Sequence, residues 1–268
     1  MKALVVGFGS AGRRHKKYLE MLGLRVDTVD PNVSEATFQS LEEAINRPTV
    51  YDLAVVATPP DLHPEHTVML LSKTRVPKIL CEKPLCGWDQ MDAFPEDDRV
   101  RIAYNYRYHP WIAKTLGPEP SQGWFLFSIQ KRERIPEWGL LLDHVSHDFD
   151  ILSWKAGLAE ITNATWITYG PIVGWWITGH TERNAPVYVL DLVSTAPGFR
   201  RYVTIWRFDR AALWIKMSSE MFRDMIRAAV SGHAWASRLP TVSEARHVQA
   251  LLEQARSLGK SAPPREVS

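Results

Sequence analysis

Residues 7–12, Gly7-Phe8-Gly9-Ser10-Ala11-Gly12, constrain the fold more than any other stretch of the chain. They read G-x-G-x-x-G. Four continuous apolar residues, 3–6, precede them, and a stretch with Tyr18, Leu19 and Leu22 one turn apart follows. An apolar run without alternation predicts a strand buried on both faces, as in a parallel sheet. A glycine turn between such a strand and a helix is the dinucleotide-binding arrangement. Gly7 permits the tight turn, Gly9 lets a pyrophosphate approach the backbone, and Gly12 lets helix and strand pack closely. The helix N-terminus offers N–H donors and partial positive charge to the phosphates. Asp30 ends the next strand candidate, 18 residues beyond Gly12, where a carboxylate accepts hydrogen bonds from ribose hydroxyls. The same carboxylate repels a 2′-phosphate, so the reading favours NAD, while Arg13, Arg14 and Lys16 leave NADP open.

The rest of the first 105 residues alternates in the same way. Strand candidates at 24–29, 53–57, 79–81 and 101–104 are separated by helix candidates. One begins near Leu41 with the capping box Ser40-x-x-Glu43, and one spans 64–73. That alternation predicts right-handed βαβ units and a doubly wound sheet. From residue 123 the pattern changes. Strand candidates at 123–131, 161–169, 172–179, 187–195, 200–208 and 211–217 follow one another with few helices, predicting a mostly antiparallel open sheet. Phe222, Met225, Ile226, Ala229 and Val230 then form an apolar stripe. Thr241 and Glu244 cap a last helix with Val248, Leu251, Leu252 and Ala255 inward. The expected class is α/β with two domains. Residues 1–106 form the dinucleotide-binding domain. Residues 107–260 form a substrate and oligomerisation α/β domain whose closing helices return toward the first. Residues 261–268 are a polar tail.

Composition excludes several function classes. Hydrophobic residues make up 45% of the 268 and charged residues 23%, as in a globular chain. With 32 Lys+Arg against 30 Asp+Glu, no charge-driven nucleic-acid partner is indicated. No apolar run of about 18 residues exists to span a membrane. Residues 1–10 lack the apolar region of a signal peptide. Two cysteines, Cys81 and Cys86, make no disulfide framework and no zinc spacing, so a reducing, cytoplasmic setting is expected. Tryptophan is unevenly placed: of 11, nine fall between residues 106 and 222. An aromatic sheet that two closing helices cover only in part predicts a homodimer or homotetramer through that sheet, with sugar stacking as the rival use.

Three further segments carry chemistry. Thr58-Pro59-Pro60-Asp61-Leu62-His63 makes a rigid loop where the third strand ends, at the carboxyl edge where such sheets bind ligands. Glu82-Lys83-Pro84 ends the fourth, and a lysine there can hydrogen-bond a substrate hydroxyl. Asp143-His144-Val145-Ser146-His147-Asp148-Phe149-Asp150 reads as helix, with Asp143 and His147 at i and i+4 on one face. His144 then points about a quarter turn away and is incidental. An imidazole flanked by carboxylates is held in one tautomer and suits proton exchange with an alcohol. Asn105 and Arg107 end the fifth strand, within reach of a nicotinamide ribose and an acidic substrate group respectively, or simply joining elements. No metal is required.

These pieces together resemble the Gfo/Idh/MocA family of nicotinamide-dependent oxidoreductases. The matching segments are GFGSAGRRH (7–15), VVATPPDLHPEH (55–66), CEKPL (81–85), YNYRYHP (104–110) and LLLDHVSHDFDIL (140–152), in family order. The resemblance implies a Rossmann domain joined to an open-sheet α/β domain. It places cofactor binding on Gly7, Phe8, Gly9, Ser10, Ala11, Gly12, Asp30, Thr58, Pro59, His63, Glu82 and Lys83. It makes Lys83, His147 and Asp143 catalytic, with Asp143 and His147 also at the substrate; Asn105 and Arg107 are the further substrate-binding candidates from the residues themselves. The expected reaction moves hydride between NAD(P) and a secondary alcohol or ketone of a sugar or nucleotide sugar. A non-catalytic nicotinamide sensor or partner protein, or a reductase of a tetrapyrrole or imine, stays open beside it. The chain departs from the family pattern at Val145, often glycine, and in keeping only Gly139 of a glycine cluster.

Overall fold

The computed structural model describes residues 1–115, 123–131, 137–194, 202–207, 213–216, 220–232, 238–261 and 265–266. They divide into two compact units. The first is Met1–Tyr108 with Glu220–Arg246, and the second His109–Ser219 with His247–Ser268.

The first unit is built on a five-stranded parallel sheet. Its strands are β1 Lys2–Val6, β2 Arg25–Val29, β3 Leu53–Val56, β4 Ile79–Cys81 and β5 Val100–Ile102. Their order is β2-β1-β3-β4-β5. The chain therefore leaves β1 on one side for β2 and on the other for β3, which makes a switch point between β1 and β3. The apolar runs are buried as their lack of alternation predicts: residues 3–6 and 53–56 are at most 1% exposed. Helices α1 Ser10–Met21, α2 Leu41–Ile45 and α3 His63–Lys73 connect the strands. The expected capping box is half formed. Ser40 Oγ accepts the Glu43 N–H at 3.1 Å, but the Glu43 carboxylate reaches back to the Gln39 N–H at 3.2 Å. Between β4 and β5 no α-helix forms. A single 3₁₀ turn at Met91–Ala93 suffices for that crossover. Both cysteines are buried free thiols.

Helix α7, Glu220–Ser231, joins this unit although it lies far along the chain. Phe222, Met225, Ile226 and Ala229 are buried as the stripe predicts. Met221 and Ala228 join them in place of Val230, which stays part-exposed. The Phe222 ring lies 4.7 Å from that of His15 on α1.

The second unit holds a seven-stranded mixed sheet. In sequence it has α4 Pro110–Thr115, β6 Trp124–Lys131, α5 Glu137–Leu140 and α6 Ser146–Ala156. Strands β7 Leu158–Tyr169, β8 Ile172–Thr181, β9 Pro186–Ser194, β10 Tyr202–Arg207 and β11 Leu213–Lys216 follow. Helix α8, Val242–Ser261, belongs mostly to this unit, and the short β12 Arg265–Glu266 ends the sheet. The strand order is β11-β10-β6-β9-β8-β7-β12. Most pairs are antiparallel, but β6 and β9 run parallel over eight residues at the sheet's centre. Apart from Ser261, Arg265 and Glu266, the polar tail lies outside the described residues, as do residues 211–212 and 217 of the last strand candidate.

The period-two pattern decides which sheet face is core. Trp175 and Ile177 of β8, with Val187 and Val189 of β9, are buried to 1% or less exposure. Their alternates Trp176 and Tyr188 are part-exposed on the opposite face. Val248, Leu251, Leu252 and Ala255 of α8 are buried as expected.

Candidate active site

The first unit carries a cleft of about 690 Å³ at the switch point. Gly7, Gly9 and Asp30 line it from one side, and Thr58, Pro59 and His66 from the other. The glycines divide the work as their positions predict. Gly7 has φ of +91°, and a Cβ on it would stand 2.5 Å from the Ala57 carbonyl oxygen. A Cβ on Gly12 would stand 1.9 Å from the Gly7 carbonyl oxygen. A Cβ on Gly9 would meet nothing within 4 Å. Two glycines are thus required by packing, and the third opens onto the space of a ligand. Gly9 also caps α1 with no side-chain acceptor, leaving first-turn N–H groups for an anion.

Asp30 is oriented before any ligand arrives. One carboxylate oxygen accepts the Phe8 N–H at 2.8 Å and the other the Asn32 N–H at 2.9 Å. Each oxygen keeps a lone pair for a ribose hydroxyl. Arg13 lies with its guanidinium 4.4 Å from the centre of the Phe8 ring and 3.5 Å from the Glu35 carboxylate. Phe8 is itself buried. Ser10, Ala11 and Gly12 form the first turn of α1 rather than the cleft lining. The loop and the acid together fit a dinucleotide.

Beyond β3, Thr58 Oγ1 lies 3.2 Å from His66 Nδ1. In the sequence His66 is marked only by closing the segment 55–66. His63 is fully buried and does not line the cleft. Its Nε2 lies 2.9 Å from the Thr58 carbonyl oxygen and its Nδ1 3.0 Å from the Pro84 carbonyl oxygen. Burial pushes the His63 pKa down, against those two carbonyls and the nearby Glu82 charge. Glu82 and Lys83 follow β4, the strand next to β3, and are part-exposed. Burial tends to raise the Glu82 pKa. The hydrogen bond from His15, followed by the charge of Lys83, outweighs it and holds the carboxyl below its usual range. Asn105 opens the 3₁₀ turn Asn105–Tyr108. Arg107 is 3% exposed, its guanidinium 2.9 Å from Glu244, which also caps α8 through Thr241.

The second unit carries the Asp/His segment, and here the helix differs from expectation. Residues Leu141–Val145 form a turn of π-helix between α5 and α6. The wider turn breaks the regular i,i+4 register between Asp143 and His147. Such bulges recur at functional sites. Asp143 remains about a third exposed, while His147 is buried. His144 is not incidental. It is 4% exposed, with Nδ1 3.7 Å from Asp191 on β9 and Nε2 3.9 Å from Asp143. Asp148 is buried against Asp191 and Ser128. Burial, followed by the charge and hydrogen bond of Asp191, raises the Asp148 pKa well above the usual carboxylate range, while Ser128 lowers it. Two buried carboxylates facing one another ionise together only at high cost. Asp150, one turn from His147, is fully buried.

Residues 1–96 match the model of the GFO_IDH_MocA family, an oxidoreductase family with an NAD-binding Rossmann fold. Over those 96 residues the chain is similar to the NAD-binding Rossmann domain of the Gfo/Idh/MocA oxidoreductases. Solved structures match along nearly the whole length. A scyllo-inositol dehydrogenase from Lactobacillus casei, with NAD(H) and scyllo-inositol bound, superposes with a TM-score of 0.76 at 12% identity over 97% of both chains. A myo-inositol dehydrogenase from Corynebacterium glutamicum gives 0.73 at 13% over 97% of both. A UDP-N-acetylglucosamine 3-dehydrogenase from Acidithiobacillus ferrooxidans gives 0.71 at 16%, over 97% of this chain and 98% of that one. At these identities the likeness is one of fold. No curated protein sequence matches the chain. Among the described residues, no helix is long and apolar enough to cross a membrane, and no cluster of three His, Cys, Asp or Glu side chains could hold a metal ion.

Proposed function

We propose that this chain is a dehydrogenase that moves hydride between NAD and a secondary alcohol or ketone of a sugar-like substrate. The observation that carries the reading is the switch-point cleft, with Gly9 open to it and Asp30 held by two backbone N–H groups. NAD, when bound, supplies the hydride acceptor or donor. The α1 N-terminus binds the phosphates and Asp30 the adenosine ribose. Asp30 also disfavours a 2′-phosphate, while Arg13 lies over the Phe8 ring beside Glu35. Lys83 orients and polarises the substrate oxygen. His147 exchanges the proton of that oxygen, and Asp143 orients the histidine or holds a neighbouring hydroxyl. The substrate class follows the relatives, two acting on inositols and one on a nucleotide sugar.

The test is the absorbance of NADH, followed with a panel of inositols, sugars and nucleotide sugars and NAD or NADP as acceptor. Turnover of a polyol with NAD preferred is the expected result. Nucleotide binding without turnover on any polyol, tetrapyrrole or imine would favour a sensor instead. Turnover on an imine or tetrapyrrole alone would move the reaction class.

The second unit bears on assembly. The rings of Phe125, Trp176 and Tyr188 form a row on the sheet face opposite the core, with centroids 6.3 and 6.0 Å apart. Aromatic rows of this kind are enriched in the cores of interfaces. A two-fold axis through the face would bring it onto itself. We assign it to a second copy of this chain. Sedimentation at micromolar concentration should give a species of at least twice 30.6 kDa, and a monomer at that mass would overturn the assignment.

A further inference from the structure

Glu82, carried with Lys83 in the sequence reading as a cofactor ligand, has both carboxylate oxygens engaged within the protein. Its Oε1 lies 2.7 Å from Nε2 of His15, and its Oε2 accepts the backbone N–H of Lys83 at 3.3 Å. His15 sits on α1, one turn beyond Gly12. It is fully buried, with its ring against Phe222. Its Nδ1 has no hydrogen-bond partner among the described residues. The tautomer with its proton on Nε2 satisfies this geometry, donating to Glu82 and leaving no orphaned N–H at Nδ1. On the other side of Lys83, the carbonyl of Pro84 meets Nδ1 of His63, whose Nε2 meets the carbonyl of Thr58. The lysine turn is thus held from α1 through Glu82 and from α3 through Pro84. Both holding imidazoles are fully buried, so neither exchanges readily with water.

We propose that His15 and Glu82 are positioning residues for Lys83, through which the helix that receives the cofactor phosphates sets the place of the lysine. The inference rests on the reading of Lys83 as the group that meets the substrate oxygen. Lys83 is part-exposed and its chain has four rotatable bonds, so fixing its backbone narrows where the ammonium can reach. Glu82 fixes that backbone by bonding the Lys83 N–H, and its charge faces the ammonium. His15 in turn fixes Glu82 to α1. A shift of α1 on phosphate binding therefore reaches the lysine through two hydrogen bonds.

His15→Phe removes the donor but fills the apolar site beside Phe222. His15→Gln keeps an N–H close to the position of Nε2. In His15→Phe, kcat should fall by about 10²-fold, as misplacement of a reacting group by about 1 Å does, with NADH affinity within about threefold of wild type. His15→Gln should recover most of the loss. A second readout needs no substrate. The rate at which trinitrobenzenesulfonate labels Lys83 in the cofactor-free protein, followed by peptide mass spectrometry, should change several-fold in His15→Phe and return in His15→Gln. Glu82→Gln, which retains shape but puts an amide against the Lys83 N–H, should reproduce both effects and serves if His15→Phe does not fold. Wild-type kcat and labelling in a folded His15→Phe or Glu82→Gln would overturn the inference. Turnover surviving in Lys83→Ala would instead overturn the reading of Lys83 itself, and the two failures are separate measurements.

Discussion

Lys83→Ala is expected to bind NADH within about threefold of the wild-type affinity and to lose about 10³-fold in kcat, within the range that a single group acting on the reacting oxygen contributes. Two observations set these opposite outcomes. The side chain does not line the switch-point cleft, so the adenosine and phosphate contacts survive its removal. The backbone of the turn is held by Glu82 and His63 through the Lys83 N–H and the Pro84 carbonyl, neither of which alanine removes. Truncation therefore deletes the ammonium and little else, and the melting temperature should stay within about 2 °C of wild type, as for a part-exposed residue outside the core. Fluorescence titration with NADH, initial rates on the accepted substrate and a thermal melt check the three parts. Turnover near the wild-type level would end the assignment of Lys83. Loss of NADH binding would place Lys83 in the cofactor site instead.

The first unit was legible because its signals are local. Residues 3–6 read as a buried strand, residues 7–12 as its glycine turn and Asp30 as the end of the second strand, and each of these depends on neighbours within about one turn or strand. The structure places all three as their spacing implies. The second unit was legible only in part because what organises it is non-local. Asp143 and His147 look like i and i+4 on a regular helix. The π turn at Leu141–Val145 leaves no mark in a 3.6-residue period, since the apolar residues around it fit either pitch. His144 reads as incidental, a quarter turn from His147, until Asp191, 47 positions later, comes to it from β9. Asp148 carries no sign of its buried partner for the same reason. The parallel β6·β9 pairing joins strands separated by two others in sequence, and period-two alternation is the same in either direction. His15 is the intermediate case. It lay in plain view three residues after Gly12, but its partner Glu82 becomes visible only when β1 and β4 take their places in one sheet.

The glycine loop separates cofactor binding from folding in a pair of variants. Gly9→Ala should leave the fold intact, because the added methyl meets nothing within 4 Å and Gly9 already has an extended conformation, φ −75° and ψ −156°, that alanine tolerates. That methyl occupies the approach of the pyrophosphate to the backbone. NAD affinity should fall by about 10- to 100-fold, or about 1.4–2.8 kcal/mol, with the thermal midpoint of the free protein unchanged. Gly12→Ala is expected to do the reverse first. Its methyl would lie 1.9 Å from the Gly7 carbonyl oxygen, a backbone atom that cannot swing aside, so α1 must move off β1. Overpacking of this kind costs about 1–3 kcal/mol and sometimes more. At about 2–4 °C per kcal/mol for a chain approaching this size, the midpoint should drop by roughly 2–12 °C. NAD binding then weakens as a consequence, because the N–H groups at the head of α1 move with the helix. Calorimetry of both free proteins and titration with NAD distinguish the two. If Gly9→Ala bound NAD like the wild type, the phosphates would lie elsewhere. The role of the first turn of α1, and with it the link from phosphate to Glu82 and Lys83, would fall together.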